Sequence, residues 1–183
     1  RAGFILAQPR VLVHIQESAQ VQLAEEYINI GGQDSLTNEV IEIVAEKDSV
    51  VDYYKIQNEG PNANHVGTTH IRQHGKCLTN SVTITLGGGM VRNNLNMIME
   101  SAHGESHMYG LSLLDGKTLA DNHTIVDNAE PNCLSNELYK AIMDGESTGV
   151  FNGKIFVRKD AQKTNAYQSN KNILIGELAS ANT

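Results

Sequence analysis

The sequence predicts an all-β fold made of short strands, on three observations. Apolar and polar residues alternate at period two. Clusters of Gly, Asn, Asp and Lys interrupt the alternation every few residues. The interruptions recur at near-constant spacing: turn centres fall near residues 18, 48, 74, 88, 103, 129, 146 and 161, several gaps being about fifteen and others about twice that. Period two marks strands with one buried face, and close punctuation leaves no room for long helices. Short-range repetition is the signature of stacked units.

Taken in order, Val11, Val13 and Ile15 alternate with Leu12, His14 and Gln16, and after the turn Glu17-Ser18-Ala19-Gln20, Val21 and Leu23 alternate with Gln22 and Ala24. A helix over Val21 to Ile30, through Ala24-Glu25-Glu26, is the competing reading there. The stretches NEVIEIVAE and SVVDYYKIQ meet at Lys47-Asp48-Ser49, and Glu59 to Ala63 is a loop on residue type. HVGTTHIRQ, SVTITLG, NMIME and MYGLSLL follow as strands, separated by turns at His74-Gly75-Lys76, Gly87-Gly88-Gly89 and Ser101 to Glu105. Strand-like clusters then recur at Thr124-Ile125-Val126, Val150-Phe151, Ile155-Phe156-Val157 and Ile173-Leu174-Ile175. Four turns of related composition serve them: Asp127-Asn128-Ala129, Asp144-Gly145-Glu146, Lys159-Asp160-Ala161 and Ser169-Asn170-Lys171. Ser135 to Met143 is the local exception. Ser135 suits a helix cap, Leu138, Ile142 and Met143 share a helical face, and Asp144-Gly145 would stop it. At most two helical turns are expected there, or a strand in which that pattern is overridden.

One coil of twenty to thirty residues buries too few Val, Ile and Leu side chains to offset the entropy of ordering it, so coils must stack and share a core. Asn-rich turns suit that arrangement, because Asn tolerates left-handed backbone geometry. Residue patterning alone leaves a β-solenoid and a β-sandwich both open.

Composition narrows the function. With 183 residues, 40% hydrophobic and 19% charged, the chain is globular and long enough for one domain. No apolar run approaches a membrane span, and no charged-then-apolar leader is present. The chain opens at Arg1, without an initiator Met and inside a strand-like run, which reads as a processed or excised segment. A net charge of −7 with dispersed basic residues excludes a nucleic-acid footprint. Cys77 and Cys133, the two cysteines, read as free thiols of a reducing compartment, and the glycosylation-like Asn122-His123-Thr124 as accidental.

Several groups carry potential chemistry. His65, His70, His74 and Cys77 supply four possible metal ligands within thirteen residues, but nothing in the spacing makes them converge. His103 and His107 would pair on a helix, which Gly104 denies. Asp121, His123 and Asp127 near Cys133 contain the elements of a nucleophilic set without an oxyanion donor. Gly149 to Lys154 has one residue too few between glycines for a phosphate loop, and Gly87-Gly88-Gly89 opens no helix. Lys154, Arg158, Lys163 and Lys171 read as a solvated face.

The strings Asn122-His123-Thr124, Pro131-Asn132-Cys133, Ser135 to Lys140, Val150 to Lys154, Asp160 to Ala166 and Gln168 to Asn172 are collinear over roughly fifty residues. Together they resemble the core of the SufB/SufD iron–sulfur cluster assembly family, on its SufD side. Looser likeness continues upstream at Gln8-Pro9-Arg10, Glu17 to Val21, Arg92 to Leu95 and Tyr109-Gly110-Leu111. The resemblance implies a right-handed parallel β-helix over residues 1–183, truncated at both ends, and so decides between solenoid and sandwich. It also implies a cytoplasmic, non-catalytic scaffold that pairs with a SufB paralogue. The SufC ATPase would be gripped by a helical segment beyond Thr183. The iron–sulfur cluster would belong to the full complex, with none bound by these residues, since the family's Cys-Ser-His-Gly motif also falls beyond Thr183. His123 and Cys133 match family positions and are candidate site residues without an assigned role. Uncovered final strands make Ile155, Val157, Ile173 and Ile175 the expected partner interface, including a possible homodimer. The alternative is a carbohydrate-active β-helix enzyme, a polysaccharide lyase or hydrolase. It would need a groove with clustered carboxylates and aromatic platforms, in a chain with no Trp and 5% aromatic residues.

Overall fold

Residues 3–183 are described by a computed structural model, in which the chain winds as a parallel β-solenoid of about six turns. After a short β1 (Ile5–Ala7), strands come in pairs, one from each of two facing sheets. They are β2 (Arg10–Ile15) with β3 (Gln20–Ile28), β4 (Ser35–Ala45) with β5 (Val50–Asn58), and β6 (Ala63–Gln73) with β7 (Leu78–Thr85). Then follow β8 (Met90–Met99) with β9 (Glu105–Leu114), β10 (Leu119–Asn128) with β11 (Leu134–Met143), β12 (Thr148–Val157) with β13 (Asn165–Leu174), and β14 (Ser180–Asn182). The eight-stranded sheet runs β1-β4-β6-β8-β10-β12-β14, with β2 also on β4, and the six-stranded sheet runs β13-β11-β9-β7-β5-β3. No helix among the described residues is long and apolar enough to cross a membrane.

The core forms because each coil repeats the inward parity of the last. Val13, Ile43, Ile71, Met97, Val126 and Ile155 stack in register along one inner column, and the middle four are fully buried. The corners explain the turn spacing. The corner leading into the six-stranded sheet places Ser18, Asp48, His103, Asn132 and Lys163 at positive φ, 57–66°, a conformation in which only a single residue per coil is strained. At the opposite corner Gly116 and Gly145 take the same left-handed geometry, where a side chain would be disfavoured.

Two readings left open in sequence are decided, and one expectation changes. Ser135 to Met143 is strand, because β11 pairs on both sides, with β9 and β13. Its supposed helical face divides, Leu138 and Ile142 outward and Met143 inward. Val21 to Ile30 holds β3 and no helix. Ser169-Asn170-Lys171 is no turn but the middle of β13, with Asn170 opposite the inward Tyr139. Polar residues are tolerated there because β13 ends its sheet and its inner side is only partly covered.

Candidate functional site

The candidate with the most chemistry lies inside the first coils, where charged residues occupy inward positions. Glu39 of β4 has the parity of Ile41 and Ile43, Lys55 of β5 that of Val51 and Tyr53, and His65 of β6 that of Ala63 and Ile71. Because the two sheets face each other, these side chains meet. Lys55 Nζ pairs with Glu39, and both are almost wholly removed from solvent. His65 sits between two carboxylates, its Nδ1 2.8 Å from Glu59 and its Nε2 3.6 Å from Glu39. The Tyr27 ring packs edge-on against the imidazole at 4.5 Å and lies 5.5 Å beneath Lys55 Nζ. Tyr53 donates its hydroxyl hydrogen to Glu25, and its oxygen lies 3.4 Å from Thr69 Oγ1. Gly67, next to Glu39 in register, leaves the space for the ion pair, since a Cβ there would collide with Lys55 Nζ and Glu39 Oε1.

Burial dictates the electrostatics. Desolvation raises the carboxyl pKa of Glu39 and Glu25. Desolvation also pushes Lys55 down to about 8. For His65 desolvation works the other way, but hydrogen bonds to Glu39 and Glu59 outweigh it and its pKa is raised. The cluster can therefore hold and redistribute protons. It is closed, however, with Glu39 and His65 at 0% exposure and Lys55 at 2%, so no substrate reaches it in this conformation. A polar seam continues along the core. Gln57 Oε1 accepts from Thr85 and Asn93, Asn93 also donates to Asn122, and Thr124 donates to Glu137 at 2.7 Å. Sequence reading missed this seam, although its signal is present: charge at the parity of buried Ile and Val.

The residues singled out from sequence disperse. His65 points inward, His70 outward, and His74 lies on a corner between Glu46 and Glu100. Cys77 faces into the next part of that corner, its thiol donating to Ala45 and Glu46 carbonyls. His103 is a corner residue, while His107 pairs with Glu105 and stacks on Tyr109. Among the described residues no group of three or more His, Cys, Asp or Glu is placed to hold a metal ion. His123 lies on the outer wall, 2.8 Å from Asp121, which also binds Arg92 at 2.6 Å. Asp127 takes a bidentate contact from Arg158. Cys133 is buried at a corner, its thiol donating to the carbonyls of Ser101 and Glu130, and desolvation raises its pKa. His123 and Cys133 thus do not form one site. Cys77 and Cys133 occupy the corner position held elsewhere by Ser49 and Thr164; the Ser49 and Thr164 hydroxyls bond the carbonyl three residues back, as Cys133 does to Glu130, whereas Cys77 reaches the preceding coil. Lys154, Arg158, Lys163 and Lys171 are all exposed but belong to two sheets and a corner, so they make no single face.

At the last coil, β14 covers only Thr148–Val150 of β12. The rest of the β12 edge and the whole outer edge of β13 are unpaired among the described residues. Val157, Ile173 and Ile175 are 51%, 59% and 63% exposed there, and Ile155 is half-buried.

A family model described as the SUF system FeS cluster assembly SufBD core domain matches residues 2–183. An iron–sulfur cluster assembly SufBD family protein of Synechocystis sp. is 31% identical over 98% of this chain and 41% of its own length. A chloroplastic protein of Arabidopsis thaliana is 26% identical over 97% of this chain and 38% of its own. The iron–sulfur cluster assembly protein SufD of Escherichia coli is 23% identical over 92% of this chain and 40% of its own. The chain spans about two fifths of the length of these relatives. With the stacked coils expected of that core now described, the chain belongs to the SufBD family of iron–sulfur cluster assembly proteins.

Proposed function

We propose that this chain is a non-catalytic, cytoplasmic scaffold subunit of an iron–sulfur cluster assembly complex. It pairs with a SufB paralogue through its last coil and engages the SufC ATPase through helical sequence beyond the solenoid. The observation that carries the reading is the family match over residues 2–183. The site chemistry supports it: the one concentration of carboxylates and bases described above is sealed in the core, as suits a framework rather than a turnover site. A carbohydrate-active enzyme would need those carboxylates in an open groove. The pairing surface is the exposed edge and apolar rim around Ile155, Val157, Ile173 and Ile175, since unpaired strands offer a template for another chain. The cluster is cargo of the full complex, held by groups that this chain's two buried thiols do not supply.

The test is co-purification of the full-length protein with SufB and SufC homologues, followed by anaerobic cluster reconstitution with and without it. A stable ternary complex that forms clusters only when this protein is present, and that Val157→Asp with Ile173→Asp disrupts, is the expected result. Clusters formed equally well without it would overturn the assignment. Light scattering on the variant separates loss of the paralogue from loss of a second copy of this chain.

A further inference from the structure

The two outer walls of the solenoid differ in chemistry. Across the eight-stranded sheet the outward rows mix polar and apolar residues, as in Asn38, Val66, Arg92, Asp121 and Val150, and one run, Thr68, Asn94, His123 and Asn152, is polar throughout. On the six-stranded sheet Gln22, Asp52, Asn80, His107 and Asn136 form a polar outward row, but the rows beyond it are apolar: Tyr54, Val82, Tyr109 and Leu138 in one, Ile56, Ile84 and Leu111 in the next, Leu113, Ile142 and Ile173 in a third. Between Ile84, Leu111 and Leu138 the wall dips into a groove of about 250 Å³. A parallel sheet that is apolar on both faces is normally covered on both, and the usual cover is a helix.

The middle row also carries a charge gradient. In register it reads Glu26, Ile56, Ile84, Leu111, Lys140, Lys171, acidic at one end, basic at the other and apolar between. At about 4.8 Å per strand, Glu26 and Lys140 are roughly 19 Å apart and the three rows span roughly 13 Å. An α-helix of about fourteen residues is roughly 21 Å long and 10 Å wide. Its partial charges, positive at the N-terminus and negative at the C-terminus, match the gradient in one direction only.

We propose that this face is the docking site for an amphipathic α-helix of a partner chain. The helix lies along the solenoid axis, apolar stripe on Val82, Ile84, Tyr109 and Leu111, N-terminus towards Glu26, and acidic residues of its last turn on Lys140 and Lys171. The inference rests on the face alone and stands or falls independently of the assembly reading.

Two fluorescent eighteen-residue helical peptides with the same leucine stripe provide the probe, one with a Glu pair in its last turn and one with the pair in its first. Anisotropy titration against the chain should show the last-turn peptide binding about tenfold more tightly, a difference of about 1.4 kcal/mol. Leu111→Glu should weaken it by tenfold or more. Lys140→Glu with Lys171→Glu, both exposed positions at which folding is safe, should reverse the preference towards a peptide with a Lys pair in its last turn. Equal binding of the two peptides, or indifference to the lysine reversal, would overturn the proposal. So would light scattering that shows a dimer of the chain dispersed by Leu111→Glu, which would assign the face to a second copy.

Discussion

Replacing Lys55 by Met leaves Glu39 buried without its cation. Holding Lys55 charged already costs stability: its pKa falls from 10.5 to about 8, and at 1.36 kcal/mol per unit that is about 3 kcal/mol. The pair offsets this only while both members are present, and removal of one partner of a buried pair costs about 3–5 kcal/mol. At about 2–4 °C per kcal/mol for a domain of this size, Lys55→Met should lower the melting temperature by roughly 6–20 °C at pH 7. Replacing both, as Glu39→Leu with Lys55→Met, should restore stability to within about 1 kcal/mol of the parent. The pH dependence has a definite sign. Glu39 has a raised pKa, so its unpaired charge penalises the single variant above that pKa and is relieved as pH falls through it towards 4.5. In the parent, the Lys55 penalty is complete below about pH 8 and disappears as pH rises towards 10.5. Circular dichroism melts of the three proteins between pH 5 and 10 read all of this. A double variant as unstable as Lys55→Met, or a single variant within 1 kcal/mol of the parent, would refute the reasoning.

Gly67→Ala should cost about 1–3 kcal/mol by wedging a methyl against Lys55 and Glu39, and the cost should shrink in the double variant, which chemical denaturation would measure. Cys133→Ser should change stability by less than about 1 kcal/mol, because a hydroxyl makes the same corner bond at Ser49 and Thr164. Native Cys133, buried and with a raised pKa, should resist iodoacetamide until the chain unfolds, as intact-mass measurement would show. Arg158 hydrogen bonds hold the Asp127 pKa down, so its contribution is present above 3.8 and lost as pH falls through the depressed value. Asp127→Asn should therefore lower the melting temperature at pH 7 and converge with the parent in strong acid.

The repeat was legible in sequence because a corner constrains residue type. Ser18, Asp48 and Asn132 suit left-handed geometry, and Gly116 and Gly145 require little else. Ser169-Asn170-Lys171 looked like another corner because polarity was read without its neighbours; in the last strand of a sheet, polarity carries no such meaning. Ser135 to Met143 left a short helix and an overridden strand both open, and the strands waiting on both sides decide for the strand. The candidate cluster was hidden for a different reason. A charged residue at inward parity, such as Glu39 in a run of Val and Ile, is ordinarily taken as a sign that the parity is wrong. Only when β4, β5 and β6 are stacked do Glu39, Lys55 and His65 become one another's partners.

Stacked coils have a register problem that the cluster answers. The inner column Ile43, Ile71, Met97 and Val126 is aliphatic throughout, and a coil displaced by one place would still bury methyl and methylene groups against others. Aliphatic packing therefore rewards stacking without naming the neighbour. Charges do name it: moving β6 one coil away would take His65 from Glu59 and Glu39 and place a side chain where Gly67 makes room for Lys55. A buried ion pair left without its partner costs several kcal/mol, more than one displaced methylene. The apolar double variant should then melt like the parent but exchange amide hydrogens faster in β3 to β6, because it keeps the hydrophobic gain and loses the penalty on every wrong arrangement. Unchanged protection in those strands would mean that the corners alone fix the register.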